Sequence, residues 1–294
     1  MRIIKPNFEI WEQPAGLEGV YKQIERVGRV CYKSEDKITE DSAKGFVDRM
    51  IKSGHGAMLE HGTIYMEFVP YKNHPMPKFY IYNPYSKVVE CGGNMYVTTN
   101  MRVLVENERL NDLQYICKPT EFHEKRVCVH FVCDRGVSHE FVRHRVMSFA
   151  QESTRYCNYS KDKFGNELTF IKPCWLDIPI GQYVYWDGDW CDIDKMKIQL
   201  PEGEHKDIDT FLWTLNNAET HYTLLINSGW KPQEARAILP NSLKTELVVT
   251  GFTSDWKHFF GLRAIGTTGA PHPQAKELAE PLMKEFIARK YINN

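Results

Sequence analysis

Thirteen residues near the middle of the chain, 143–155, combine cations with hydroxyl and amide groups in a pattern that suits an anion. The segment carries three arginines and one histidine but a single carboxylate, Glu152. Arginine stays charged and presents a planar fork of donors that matches phosphate geometry. In an extended conformation, Gln151, Ser153 and Arg155 would point to the same side. The segment therefore indicates either an anion site or a solvated basic surface, and composition alone does not separate the two.

The composition limits the classes of function. The chain has 294 residues, of which 42% are hydrophobic and 26% charged, the balance of a soluble globular protein. Its formal net charge of −1 provides no global positive field for a nucleic-acid backbone, so anion binding must be local. The N-terminus lacks an apolar signal segment, and no apolar run approaches the ~20 residues that a membrane helix needs. We therefore expect a cytoplasmic protein that binds neither nucleic acid nor membrane.

Several common motifs are missing. The eight cysteines form no C-x-x-C pair, which removes the usual support for a zinc or dithiol site. His55 and His61 are six positions apart with no third ligand nearby, so no metal site is predicted. Neither a glycine-rich dinucleotide turn, a P-loop nor a nucleophile elbow occurs. A nucleotide would therefore have to be held by side chains, chiefly arginines.

The elements before the arginine segment follow from apolar periodicity. Helical spacing predicts a helix over residues 17–30 and a second helix from Asp41, a plausible N-cap, to Gly54. Alternating apolar residues predict strands at 63–69 and 127–133, the second of which leads into the arginine segment.

Two regions lack a clean period. Residues 70–125 contain a Gly-Gly pair that predicts a hairpin within 88–97, followed by a helical piece over 107–117. Residues 161–207 are rich in Trp, Tyr and Asp and are interpreted as irregular, either a substrate-covering loop or an oligomer contact.

The last third of the chain is mostly helical. In order, the pattern predicts a helix capped by Asp209 and ending at Gly229, a short helix over 233–239, a strand over 247–251, a helix from Thr253 or Ser254, and a final helix opened by Pro273.

The arginine segment also resembles a family signature. Arg143-His144-Arg145, followed by seven residues and Ser153, is similar to the signature of the flavin-dependent (ThyX-type) thymidylate synthases. His55, Glu60 and His61 resemble the histidine turn of that family.

Two C-terminal segments extend the resemblance. Residues 234–240 look like the family's second arginine motif, Arg263 falls 27 positions after Arg236, and residues 272–274 resemble the His-Gln pair that opens the last helix. The resemblance covers about 15–69, 126–160 and 209–290. It predicts one catalytic domain over 1–294 with insertions at about 70–125 and 161–207.

The resemblance implies a fold and a reaction. The fold would be α+β, with a central, mostly antiparallel sheet flanked by helices. The reaction would be reductive methylation of dUMP to dTMP, with 5,10-methylenetetrahydrofolate as carbon donor and NADPH as reductant, hydride passing through N5 of reduced FAD. The family also implies a homotetramer whose active sites are shared between subunits.

The resemblance also assigns residues. Arg263 would stabilise negative charge that develops on the uracil ring. Ser153 would bind substrate, because a serine without an adjacent general base is a poor nucleophile. The catalytic set is Arg263, Ser153 and His55. The implied dUMP ligands are Glu140, Arg143, Gln151, Ser153, Arg155, Arg236 and Arg263. The implied FAD ligands are Cys31, His55, Ala57, Arg143, His144, Arg145, Gln151, Ser254, His258 and His272.

Some positions depart from the family pattern, and other interpretations stay open. Glu140 and Gln151 are exchanged relative to the common Gln and Glu, and Ala57 replaces a hydroxyl residue. Arg236 could instead pair with Glu234, and Arg263 could be a structural salt-bridge arginine. Two alternative functions remain: a non-enzymatic nucleotide- or nucleic-acid-binding module, and a relative of the family that methylates a different nucleotide.

Overall fold

An antiparallel sheet of four strands forms the centre of the computed structural model, which describes residues 1–69, 78–201 and 206–293. Strands β1 to β12 span Arg2–Ile4, Asn7–Trp11, Thr63–Phe68, Lys87–Cys91, Asn94–Asn100, Arg126–Asp134, Ser148–Gln151, Thr169–Ile171, Gly181–Gln182, Val184–Trp186, Asp189–Cys191 and Lys244–Phe252. Helices α1 to α10 span Gly16–Tyr32, Ser42–Ser53, Gly56–Leu59, Phe79–Tyr82, Met101–Glu106, Arg135–Phe141, Lys206–Asn227, Pro232–Ala235, Thr253–Phe260 and Pro273–Ala288. The predicted α+β class is confirmed.

The central sheet has the order β2-β6-β12-β7, with every neighbouring pair antiparallel. The long strands β6 and β12 pair along their whole length, so that Val129 lies opposite Val249. Because successive side chains of a strand point to opposite sides, each strand contributes side chains to both faces of the sheet. One face packs against α9 and α10 through Trp256, Phe260 and Phe286. The other packs against α1.

Residues of the predicted insertion at 70–125 build a second sheet with β3. Strand β5 pairs with β3 and with β4, giving the order β3-β5-β4. The predicted hairpin is confirmed, and its turn residues Gly92 and Gly93 both have positive φ, 59° and 84°. The strand predicted at 63–69 therefore belongs to this sheet and not to the central one. Residues 70–77 lie outside the described ranges.

The region predicted as irregular, 161–207, contains short strands. In the described part, β8 pairs in parallel with β1, and β9 pairs with the other edge of β1. Strands β10 and β11 form a hairpin. Apolar side chains of this region pack with α7 in a core that includes Phe170, Tyr183 and Leu212. Residues 202–205 are not described.

The predicted helices are confirmed in α1, α2, α7, α8, α9 and α10, with corrections at their ends. Asp41 precedes α2 but accepts no capping hydrogen bond from it. Asp209 lies inside α7, which is already helical at Lys206. The helical piece predicted at 107–117 is a 3-10 turn, Leu110–Tyr115, and α5 was missed. Within the described ranges, no helix is long and apolar enough to span a bilayer.

Candidate active site

The arginine segment follows the short helix α6, which begins directly after the last residue of β6. Oδ1 of Asp134 accepts a hydrogen bond from the backbone N of Val137 at 2.8 Å, which caps α6. The helix ends at Phe141, and the exposed turn that follows carries Arg143 and Arg145. The chain then enters β7, which pairs with β12 at the edge of the central sheet.

The extended conformation predicted for residues 151–155 is wrong. Gln151 ends β7, and the backbone then turns: the carbonyl of Ser153 accepts hydrogen bonds from N of Tyr156 at 3.2 Å and N of Cys157 at 2.9 Å. Oγ of Ser153 also accepts from N of Arg155 at 3.3 Å. Serine side chains can bond to backbone two residues ahead and so favour turns over strands. Gln151, Ser153 and Arg155 therefore do not share one extended face.

Arg263 is held at three points. Its Nη1 donates to Oε2 of Glu140 at 2.6 Å, and its Nη2 donates to the main-chain carbonyl of Glu140 at 2.8 Å. Its Nε lies 3.3 Å from Nε2 of His144. Arg263 belongs to a π-helical turn, Gly261–Ile265, directly after α9. Within one chain, Arg263 is therefore a salt-bridged arginine, as the structural alternative predicted.

His144 is the buried partner in this group. Only 5% of it is exposed, and its ring packs against Phe259 and His258, with centroid separations of 4.9 and 5.6 Å. Burial, reinforced by the positive charge of Arg263, lowers the pKa of His144 to about 4. The imidazole is therefore neutral near pH 7. Since arginine only donates, Nε2 of His144 is the acceptor of the contact with Arg263.

A second group joins the arginine segment to the motif at 234–240. Nη1 of Arg236 donates to Oγ1 of Thr154 at 3.2 Å, and N of Ser153 donates to the carbonyl of Cys31 at 3.0 Å. Glu234 instead accepts from the backbone N of Lys231, at 2.8 Å, so the alternative pairing with Arg236 is not observed. Burial raises the pKa of Cys31 to about 11, and the thiol stays protonated near neutral pH.

Four predicted ligands are exposed arginines: Arg143, Arg145, Arg155 and Arg236. In the part of the chain that the structure describes, none of them forms an ion pair. Arg155 lies over the ring of Tyr156, 5.4 Å from its centroid. Guanidinium groups without a carboxylate keep their donors free for an anionic ligand.

Glu140 and Gln151, which are exchanged relative to the family pattern, form hydrogen bonds with different partners. Glu140 holds Arg263, whereas Nε2 of Gln151 donates to Oγ of Ser138 at 2.8 Å and lies 3.2 Å from Oγ1 of Thr245. Sequence reasoning missed Thr154, Ser138 and Thr245. In an extended segment, Thr154 would point to the face opposite Ser153 and Arg155. No sequence pattern links the hydroxyls of Ser138 and Thr245 to Gln151.

The remaining predicted cofactor ligands lie on other elements. His55 and Ala57 are exposed at the start of α3, and N of Ser254 donates to Oε1 of Glu124 at 3.0 Å. The ring of His272 lies edge-on to Trp175 at 6.0 Å. Within the described ranges, His55, Ala57 and His272 form no hydrogen bond with another predicted site residue. The same ranges contain no group of three or more possible metal ligands.

A family model described as "Thymidylate synthase complementing protein" matches residues 118–289, more than half of the 294 residues. The chain belongs to this family. The match contains both arginine groups, the one around Arg263 and the one around Arg236. Cys31, His55 and Ala57 lie outside it.

Curated relatives of the family share moderate identity with the chain. The flavin-dependent thymidylate synthase of Pyrococcus furiosus is 32% identical over 163 residues, 54% of this chain and 53% of that protein. The flavin-dependent thymidylate synthase of Corynebacterium aurimucosum is 22% identical over 277 residues, 93% of this chain and 78% of that protein. The chain thus spans about half the length of some relatives that it matches. A solved structure, the UMP/dUMP methylase PolB of Streptomyces cacaoi bound with 5-Br dUMP, covers 98% of this chain and 93% of its own at 16% identity and a TM-score of 0.45.

Proposed function

We propose that this member of the thymidylate synthase complementing protein family is an FAD-dependent thymidylate synthase. It converts dUMP to dTMP, with 5,10-methylenetetrahydrofolate as carbon donor and NADPH as reductant. The contact between Arg236 and Thr154 carries the proposal, because it joins two family motifs at one point of the fold. Arg155 and Arg236 are both exposed there and have no ion pair within the described ranges, which leaves two cations for one phosphate.

The phosphate of dUMP would bind at this group. Arg155 and Arg236 supply charge-assisted donors, the strongest kind of hydrogen bond to a phosphate. Ser153 lies in the same turn as Arg155 and contributes a hydroxyl. This serine has no histidine or carboxylate within hydrogen-bond distance in the described residues, so it acts as a ligand and not as a nucleophile.

The uracil ring would bind at the group around Arg263. A fixed guanidinium aimed at the oxygen where negative charge develops stabilises the transition state without reorganising during the reaction. Three contacts, two to Glu140 and one to His144, supply that preorganisation. The neutral imidazole of His144 does not repel the adjacent guanidinium.

The residues fit a phosphate-bearing flavin cofactor. Arg143 and Arg145 are exposed, close in sequence and without an ion pair in the described residues, which suits the pyrophosphate of FAD. Reduced FAD, when bound, supplies a hydride from its ring N5. The other residues proposed to contact FAD are Cys31, His55, Ala57, His144, Gln151, Ser254, His258 and His272. Within the described ranges, His55, Ala57 and His272 form no hydrogen bond with another predicted site residue. A homotetramer with active sites shared between subunits would complete the site with residues from a second subunit.

The test is an absorbance spectrum of the purified protein, before and after incubation with FAD, followed by addition of NADPH and dUMP. We expect flavin bands that bleach with NADPH, and dTMP as product when methylenetetrahydrofolate is present. A protein that cannot be loaded with FAD contradicts the proposal. Flavin reduction without dTMP, but with methylation of another nucleotide, identifies a relative with a different substrate.

A further inference from the structure

A small cavity of about 150 Å³ opens beside the first turns of α1, where β6 and the start of β3 meet the N-terminal segment. Gln23, His61 and Arg126 line its buried inner part. Its rim carries an ion pair, with Nζ of Lys125 at 3.6 Å from Oε2 of Glu12. None of the described residues that line it belongs to the sets proposed to bind dUMP or FAD. The cavity is therefore separate from the proposed active site.

Arg126 is a buried cation without a counter-ion. Only 8% of it is exposed, and its terminal nitrogens contact neutral oxygens: the carbonyl of Glu60 at 2.9 Å, Oγ1 of Thr63 at 3.4 Å and Oγ of Ser148 at 3.3 Å. In the described part of the chain, no carboxylate lies within ion-pair distance of it. The side chain of Glu60 pairs instead with Arg102, at 2.5 Å. A buried charge normally has a partner of opposite sign, because its removal from water is costly.

Three buried nitrogens of the lining residues have no hydrogen-bond partner among the residues that the structure describes: Nε of Arg126, Nε2 of Gln23 and Nε2 of His61. The first two only donate. Burial lowers the pKa of His61 to about 3, so the ring is neutral, and Nε2 carries its proton when Thr250 donates to Nδ1. Burial also raises the pKa of Cys128 beside Gln23 to about 11, and a protonated thiol is a weak acceptor. The inner part of the cavity thus has donors without acceptors.

We propose that this cavity binds one small oxyanion, either a carboxylate or an inorganic anion such as phosphate. An oxyanion brings several acceptor oxygens together with a negative charge, so it provides acceptors for the free donors and a counter-ion for Arg126. Water also accepts hydrogen bonds but leaves the guanidinium charge without a partner. A water molecule occupies ~30 Å³ in the liquid, so about 150 Å³ has room for an anion the size of acetate or phosphate.

The bound anion would join three parts of the chain. Gln23 lies on α1, Arg126 begins β6, and Thr63 begins the strand that pairs with the second sheet. Since the unfolded chain does not bring these residues together, the anion binds only the folded protein and stabilises it by mass action. The site would therefore hold the second sheet against the central sheet, whatever reaction the enzyme catalyses.

The experiment measures binding of inorganic phosphate and of acetate to the full chain by calorimetry in Tris chloride. All proteins carry Arg155→Ala and Arg236→Ala, so that the phosphate site proposed for dUMP does not contribute. On this background, Arg126→Met and Gln23→Glu are compared with the control Arg49→Met, at an exposed position of α2 outside the cavity. We expect about one anion per chain in the background protein and the control. Affinity should fall ~10-fold or more in Arg126→Met, because a hydrogen bond to a charged group is lost, and in Gln23→Glu, because a fixed carboxylate replaces the anion.

Two further measurements make the outcome decisive. Phosphate or acetate should raise the unfolding temperature of the background protein and of Arg49→Met, but not of Gln23→Glu. Ion chromatography after acid denaturation shows whether an anion co-purified, and separates a cellular carboxylate from inorganic phosphate. Release of about one oxyanion per chain supports the inference even where added anion no longer binds.

Three results would overturn the inference. The first is a background protein that neither binds nor releases an oxyanion, which would mean that the cavity holds water. The second is equal affinity in the background protein, Arg126→Met and Gln23→Glu, which would place the anion elsewhere. If Arg126→Met does not fold, Gln23→Glu decides alone, and unchanged anion affinity in that variant is the third. Absence of dTMP formation would contradict the proposed function and leave this inference intact.

Discussion

Arg236 donates a hydrogen bond from Nη1 to Oγ1 of Thr154 at 3.2 Å, across 82 positions of sequence. The contact places the short helix α8 and its following turn against the residues that come after β7. Within the described ranges this exposed guanidinium has one hydroxyl partner, so most of its donors stay free for a ligand. Arg155, one residue from Thr154, adds a second cation at the same turn.

Replacing either arginine should separate phosphate binding from base binding. We expect Arg236→Ala and Arg155→Ala each to weaken dUMP binding ~10-fold or more, the usual cost of a hydrogen bond to a charged group. Binding of deoxyuridine, which lacks the phosphate, should change little. Calorimetry with both ligands checks this, with Arg289→Ala, at the exposed position directly after α10, as an arginine control. An equal loss for dUMP and deoxyuridine would argue against a phosphate role.

Removing Arg263 should affect one half-reaction. The proposed function has the guanidinium act on the uracil ring and not on the reductant. We therefore expect Arg263→Ala to lower dTMP formation ~10²- to 10³-fold, the cost of losing a preorganised donor. NADPH-dependent bleaching of the flavin should largely persist, as followed by stopped-flow absorbance. A parallel loss of both rates would contradict the assigned role.

His61 should make folding stability sensitive to acid. It is fully buried with Nδ1 2.8 Å from Oγ1 of Thr250, and burial lowers its pKa to about 3. Its unfolded pKa is about 6.5. Between these values the unfolded chain binds a proton that the folded chain does not, so stability falls as pH drops below about 6.5, by up to ~1.4 kcal/mol per pH unit.

Urea unfolding at several pH values between 7 and 5 measures this contribution. In His61→Gln, the free energy of unfolding should depend less steeply on pH than in the wild type. The matched control is His221→Gln, at an exposed position of α7, which should keep the wild-type slope. An unchanged slope in His61→Gln would mean that other groups produce the acid sensitivity.

Lys244 should be important for stability and not for chemistry. Its Nζ donates to Oε2 of Glu152 at 2.8 Å and to Oε1 of Glu246 at 2.5 Å, and the Glu152 side chain is fully buried. Among the residues that the structure describes, Lys244→Met would leave the buried carboxylate of Glu152 without a cation in direct contact. We expect a loss of ~3–5 kcal/mol in the free energy of unfolding, measured in urea.

Two further variants test that explanation. Lys276→Met, at a 48% exposed position of α10, should change stability by no more than ~0.5 kcal/mol. Adding Glu152→Gln to Lys244→Met should recover part of the loss, because the uncompensated charge is removed. A double variant no more stable than Lys244→Met would show that lost packing, and not charge, causes the effect.

Local patterns predicted most of the elements that carry the site. The apolar repeats at 17–30 predicted α1, and the alternation before the arginine segment predicted β6. The proline at 273 predicted the start of α10. Each of these patterns lies within a single helix or strand. These local patterns did not predict the pairing partner of a strand. The strand at 63–69 was correctly found, yet it pairs with β5 and not with the central sheet. Pairing depends on which edge is free, and a strand's own sequence does not encode its neighbour.

The sequence by itself determined the family signature, the supply of arginines and the α+β class, because residue type, spacing and periodicity are properties of the chain. Only the tertiary structure decided what each arginine contacts. Glu140 and Arg263 are 123 positions apart and meet because α6 and the π-helical turn after α9 pack on the same side of the central sheet. The turn at Ser153 likewise depends on a side-chain bond that competes with extension. Such contacts arise from packing between distant segments, which no local pattern records.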